Sequence, residues 1–138
     1  MRRTLAVLLV GCALAACSPG ALIGRDDVLK KASREKGVSN LDRHEAKLML
    51  WDQFLQVSKV SANPSDKPPG KQRVWVVAEA GTIRVGSSGG RQHWAIFVYN
   101  AVTGSLIGFV PGPTDQEATA GSGSAQWPDF WVQFPDSG

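Results

Sequence analysis

Ser88 sits in Gly86-Ser87-Ser88-Gly89-Gly90, which meets the letters of the G-x-S-x-G turn that lifts a hydrolase serine above a parallel sheet. That turn needs a strand before it and a helix after it. Here the flanking residues on both sides read as strands, so the stretch is better explained as a flexible hairpin tip. His44-Glu45 begins like a metalloprotease helix, yet Leu48 stands where the second histidine belongs. His93 opens an apolar run beside Trp94 without a neighbouring carboxylate in sequence and reads as a surface histidine. With only His44, His93, Cys12 and Cys17 available among the softer ligands, no metal site is expected, and no cofactor motif is present. An enzyme is therefore not the expected reading; a hydrolase using Ser88 or His93 is the alternative.

Two aromatic groups remain. Trp75, Trp94, Phe97 and Tyr99 alternate along apolar runs, a pattern that belongs to a sheet core more often than to base stacking, and no nucleic-acid partner is expected. Trp127, Phe130 and Trp131 fall within five residues near the end of the chain. They either dock back onto the domain or stand open as a binding patch. The ordinary burial of aromatics favours docking, and the three are kept as candidate binding residues.

The N-terminus carries a different kind of chemistry. Met1-Arg2-Arg3 precedes an apolar run from Thr4 to Ala16, too short to span a bilayer but laid out as a secretory leader. Leu14-Ala15-Ala16-Cys17 resembles the lipobox of bacterial lipoproteins. The resemblance implies cleavage between Ala16 and Cys17 and a diacylglyceryl group on the Cys17 thiol, with further acylation of the new amino terminus. Two or more acyl chains hold a protein stably to a membrane without a spanning segment. The implied location is the cell membrane or outer membrane, on the extracytoplasmic side.

Cleavage changes the composition. Of 138 residues, 122 remain, Cys12 is discarded and Cys17 carries lipid, so no disulfide is available. The formal charge of +3 falls to +1 once Arg2 and Arg3 leave, which weakens any argument for a polyanionic partner. At 43% hydrophobic and 20% charged, the chain can build one modest core. Charge is uneven: thirteen cations and eight acids lie between Arg25 and Arg91, and four acids with no Lys or Arg follow from Gln92. Because the cations are interspersed with acids, they read as ordinary solvated surface.

The elements that hold these residues follow from pattern. The domain plan is a leader (1–16), a tether (17–25), an α+β domain (26–111), a Gly/Ser-rich linker (112–126) and an aromatic C-terminal segment (127–138). Asp26 to Lys36 predicts a helix with acids first, bases later and Gly37 as its stop. Leu41 to Val60 is ambiguous. A strand over Glu45 to Leu50, then a short helix capped by Asp52, is preferred to one continuous helix. Residues 63–70 form a loop. Val74 to Ala78, continued after Gly81 by Thr82 to Val85, then His93 to Tyr99 and Ser105 to Val110 predict further strands, the last pair joined by a turn at Val102-Thr103-Gly104. The linker shows no core-forming pattern. The expected fold is α+β, with one or two helices packed on an antiparallel sheet of about four strands.

Val74-Trp75-Val76-Val77, the run His93 to Tyr99 and the turn Asn100-Ala101-Val102-Thr103-Gly104 together resemble PepSY-type and similar secreted bacterial domains. In that family an Asp-Ala-x-Thr-Gly turn closes a hairpin; Asn100 stands here in place of the aspartate. The resemblance implies a small non-enzymatic module that interacts with proteins outside the cytoplasm, and it carries no catalytic residue. The expected role is a lipid-anchored interaction module with an envelope protein as partner; a purely structural envelope protein is a further alternative.

Overall fold

β-branched and aromatic residues dominate the middle of the chain, and they form the two central strands of the sheet. The computed structural model describes residues 20–60, 68–84, 90–121 and 126–138. Its elements are α1 (Arg25–Ala32), β1 (Val38–Leu50), α2 (Trp51–Ser58), β2 (Arg73–Ile83), β3 (Gln92–Asn100), β4 (Leu106–Pro111), α3 (Asp115–Thr119) and a C-terminal 3-10 helix (Asp129–Gln133). The four strands run antiparallel in the order β1-β2-β3-β4, an α+β arrangement.

Antiparallel sheets commonly leave one face to solvent. Here β2 and β3 are covered on both sides, which explains why their sequences are continuous apolar runs rather than alternating ones. One face holds Val28 and Ala32 of α1 against Leu48, Trp75, Val77, Phe97 and Tyr99. The other holds Trp51 and Phe54 of α2 with Trp131 and Phe134 against Met49, Val76, Trp94, Ile96 and Val98. Trp75, Phe97 and Tyr99 thus share one face, and Trp94 lies on the other.

Several boundaries differ from expectation for local reasons. The helix expected to run to Lys36 and stop at Gly37 ends instead at Ala32 with Ser33 as its C-cap, and turns carry the chain on to Gly37, whose φ is +96°. Strand then helix is correct for 41–60, but the strand begins seven residues earlier, at Val38. Asp52 is not the cap of α2. Leu50 occupies that position, and its N–H donates to Gln53 Oε1 at 2.9 Å. Thr82 and Ile83 continue β2 through Gly81, where β1 passes so close that a Cβ would meet Asn40 O at 2.6 Å. The expected linker contains α3, opened by a capping box in which Thr114 N–H donates to Glu117 Oε2 at 2.7 Å and Glu117 N–H donates to Thr114 Oγ1 at 3.3 Å.

The hairpin turn forms as its residues predict. Asn100 Oδ1 accepts from the N–H groups of Val102 at 2.9 Å and Thr103 at 3.0 Å, and Gly104 takes φ +71°. An aspartate would accept the same two bonds, so the Asn-for-Asp difference leaves the turn chemistry intact.

Candidate functional site

The two edges of the sheet are treated differently. β1 is guarded along its second half. Leu48 N–H donates to Asp136 Oδ1 at 3.1 Å, Ser137 N–H donates to Leu48 O at 2.8 Å, and Lys47 Nζ donates to the carbonyls of Trp131 and Phe134 at 2.9 and 3.0 Å. The C-terminal segment therefore occupies the edge as well as the face. Charged side chains Asp42, Arg43, Glu45 and Lys47 add the usual protection against pairing with a foreign strand.

β4 has none of this. No Lys, Arg, Asp or Glu occurs from Gln92 to Thr114, and among the described residues no hydrogen bond reaches the outer side of β4. Alternate residues of an antiparallel edge strand turn their N–H and C=O groups outward, so this edge can accept another strand. Ile107 and Val110 lean on the α2-side core. Leu106 and Phe109 pair with Tyr99 and Phe97, which puts them on the α1 side, where α1 packs mainly over β1 and β2 and reaches Phe97 and Tyr99 of β3. They stay 45% and 42% exposed. The register shift between Val98 and Tyr99 lets these two residues, three apart, share a face. An open backbone edge beside two apolar side chains is an arrangement that can hold an extended peptide.

The sequence-derived candidates fall in several places. Ala16, Cys17 and Ser88 lie outside the described residues. Trp131 is buried in the core, with Trp127 and Phe130 half-buried against it. Phe134, not singled out in the sequence, is the centre of the cluster, 5.6 to 5.8 Å from the rings of Phe54, Phe130 and Trp131. The segment 127–138 thus docks back onto the domain. Arg43 lies over the Trp127 ring at 3.8 Å and hydrogen-bonds Glu45, which also accepts from Trp131 Nε1. Burial would raise the Glu45 carboxyl, but the hydrogen bonds from Arg43 and Trp131 and the charges of Arg43 and Lys47 hold it below its ordinary value.

His93 does have a carboxylate partner, contrary to the reading from sequence: its Nε2 lies 2.5 Å from Asp115 Oδ1. Asp115 comes from α3, twenty-two residues further on, in the stretch expected to be an unstructured linker. Among the described residues no hydroxyl hydrogen-bonds the imidazole, and no group of three or more His, Cys, Asp or Glu could hold a metal ion.

Sequence reasoning passed over Glu79 as well. It is wholly buried beneath the α1 side of the sheet, and neither carboxylate oxygen has a hydrogen-bond partner among the described residues. Burial, then the charge of Glu35, pushes its pKa up to about 7. Glu35 itself accepts from Tyr99 Oη at 2.9 Å, and the exposed His44 is the cross-strand neighbour of Glu79 on β1. The only signal in the sequence was an acid inside an otherwise apolar run.

Among the described residues no helix is long and apolar enough to cross a membrane. Comparison with protein-family models, with characterised proteins and with solved structures finds no match.

Proposed function

We propose that the chain is a lipid-anchored protein of the bacterial cell envelope, without enzymatic activity, that binds an extended segment of a partner protein along the free edge of β4. The observation that carries this reading is the contrast between the two sheet edges. β1 is capped by the C-terminal segment and flanked by charge, whereas β4 is uncharged, has no partner on its outer side among the described residues and is bordered by exposed Leu106 and Phe109. The six-residue length of β4, its bulge and Pro111 at its end limit pairing there to a short segment. The partner chemistry follows: an extended, uncharged strand with apolar side chains opposite Leu106 and Phe109. The likeness of the Asn100–Gly104 hairpin to PepSY-type domains supports a protein-binding role outside the cytoplasm. The lipobox-like Leu14-Ala15-Ala16-Cys17 supports attachment through lipid on Cys17, to the cell membrane or outer membrane on its extracytoplasmic side.

Two variants test the parts separately. Cys17→Ser should release the protein from membranes or leave an unprocessed precursor; a variant that still fractionates as a mature acylated protein contradicts the anchor. Leu106→Asp combined with Phe109→Asp should abolish recovery of the partner that co-purifies with the wild type, and a thermal melt of the variant checks that it is still folded. Undiminished recovery would contradict the edge.

A hydrolase is the competing reading, favoured by the His93–Asp115 pair. His93→Ala should leave any hydrolysis of ester or peptide substrates by the purified protein unchanged. Loss of a measured turnover without unfolding would instead support the enzyme.

A further inference from the structure

We infer that the cleft between the tether and the β3–β4 hairpin is the surface on which the protein rests against anionic phospholipid headgroups. This inference rests on the reading of Cys17 as the lipid anchor.

Cys17 and Gly20 are three residues apart, and three residues reach at most about 11 Å. From Gly20 onward the tether is not free to swing. Ile23 N–H donates to Ala101 O at 2.9 Å, and Trp75 Nε1 donates to Ile23 O at 3.0 Å. Leu22 and Ile23 pack on the α1-side core, and Gly20 lies against Val102 so closely that a Cβ would meet Val102 Cγ1 at 2.6 Å. A lipid on Cys17 therefore holds this part of the surface within one short span of the membrane.

That surface has the composition an anionic interface requires. A cleft of about 420 Å³ is lined by Gly20, Ala21, Leu22, Lys71, Gln72, Arg73 and Val102, with no Asp or Glu among them. Lys71 and Arg73 are exposed, and neither forms an ion pair among the described residues. Val102 is 39% exposed at the hairpin tip. Two free cations beside an apolar tip match a phosphate layer above acyl chains. A second open depression, on α1, mixes Lys30, Lys31 and Arg34 with Asp27 and Glu35 and lacks this one-sided charge.

The pose also accounts for the use of β4. Val102 precedes Leu106 by four residues, so the hairpin tip sits at the anchored end and β4 leads away from it. The free edge is then left open to a partner.

Each cation at an anionic surface contributes about fivefold, so the pair weights the docked pose about 25-fold in anionic over neutral vesicles. The test uses the mature acylated protein in vesicles of phosphatidylglycerol with phosphatidylcholine, and of phosphatidylcholine alone. Sedimentation reports the anchor, and amide hydrogen exchange at 101–105 reports docking. The expected result is sedimentation with both vesicles but slowed exchange only with the anionic ones. That slowing should be lost in Lys71→Glu/Arg73→Glu and weakened in Val102→Ser, a variant that leaves the cations in place. Equal exchange in both vesicles, or slowing that survives the charge reversal, overturns the docking while leaving the anchor standing. Slowing of the same amides by inorganic phosphate without vesicles assigns the cleft to a free anion and also overturns it. Failure to sediment at all refutes the anchor, and the docking with it.

Discussion

Trp131 Nε1 donates to Glu45 Oε2 at 2.6 Å, joining the C-terminal 3-10 helix to the first strand across 86 residues of chain. The same strand holds that segment through Lys47, whose ammonium donates to two of its carbonyls. The aromatic end of the chain is thereby both core and edge cover.

Trp131→Ala should cost about 3 to 5 kcal/mol, the range for emptying a large aromatic site in a core. Trp131→Phe keeps most of the ring but leaves the Glu45 oxygen without its donor, which should cost about 1 to 3 kcal/mol. Urea denaturation followed by intrinsic fluorescence measures both. Costs below 1 kcal/mol for the alanine variant would mean that the segment is not integral to the fold.

Glu79 sets an unusual pH dependence. In the folded state it holds its proton up to about pH 7, whereas an unperturbed carboxyl releases it near 4.5. The folded chain thus binds more protons between these values, and stability falls as pH rises through that window, by about 3 kcal/mol in all. Glu45 and Asp136 act oppositely. Asp136 is held below its ordinary value because bonds from Leu48 and Gly138 N–H and from Arg25 outweigh its burial, so their contributions disappear as pH falls below the carboxylate range. Stability should peak in mildly acidic solution, and Glu79→Gln should remove most of the decline above it. Denaturation midpoints at about pH 5 and about pH 8 decide this, since equal midpoints in the wild type would contradict the burial of an unpaired Glu79.

Asn100→Ala removes the acceptor for two turn N–H groups and should destabilise by about 1 to 2 kcal/mol. Asn100→Asp should be close to neutral. Thermal melts compare the two, and equal losses would show that the side-chain oxygen is not what organises the turn.

Much of the fold was legible because the relevant signals are local. The acids and bases of α1, the β-branched runs of β2 and β3, and the Asn100–Gly104 turn each state their own structure. What could not be read depends on distant neighbours. Gly81 looks like a strand terminator until β1 is seen passing over it, and the first half of β1, Val38 to His44, is polar because it lies exposed beyond the C-terminal segment that covers the second half. The His93–Asp115 pair needs a five-residue helix too short to show a period. The site was the least legible part. Leu106 and Phe109 look like ordinary core residues in sequence, but they stay exposed on the α1 side because α1 packs mainly over β1 and β2.

Gly81→Ala tests that close approach. Its Cβ would lie 2.6 Å from Asn40 O and 3.0 Å from Leu41 Cα, both backbone atoms, so β1 must move at a cost of about 1 to 3 kcal/mol. A neutral result in chemical denaturation would place β1 farther from β2 than it is found.

Binding along β4 is tested most directly by photo-crosslinking in the intact cell envelope. A photo-reactive side chain replaces Phe109 on the free edge or, as control, Val132, which is 82% exposed on the C-terminal helix. The expected result is one discrete adduct with a different protein from position 109, none from position 132, and its loss when Leu106→Asp is added. No adduct from 109, the same adduct from both positions, or an adduct with the mass of two copies of this chain would contradict a partner strand bound at β4.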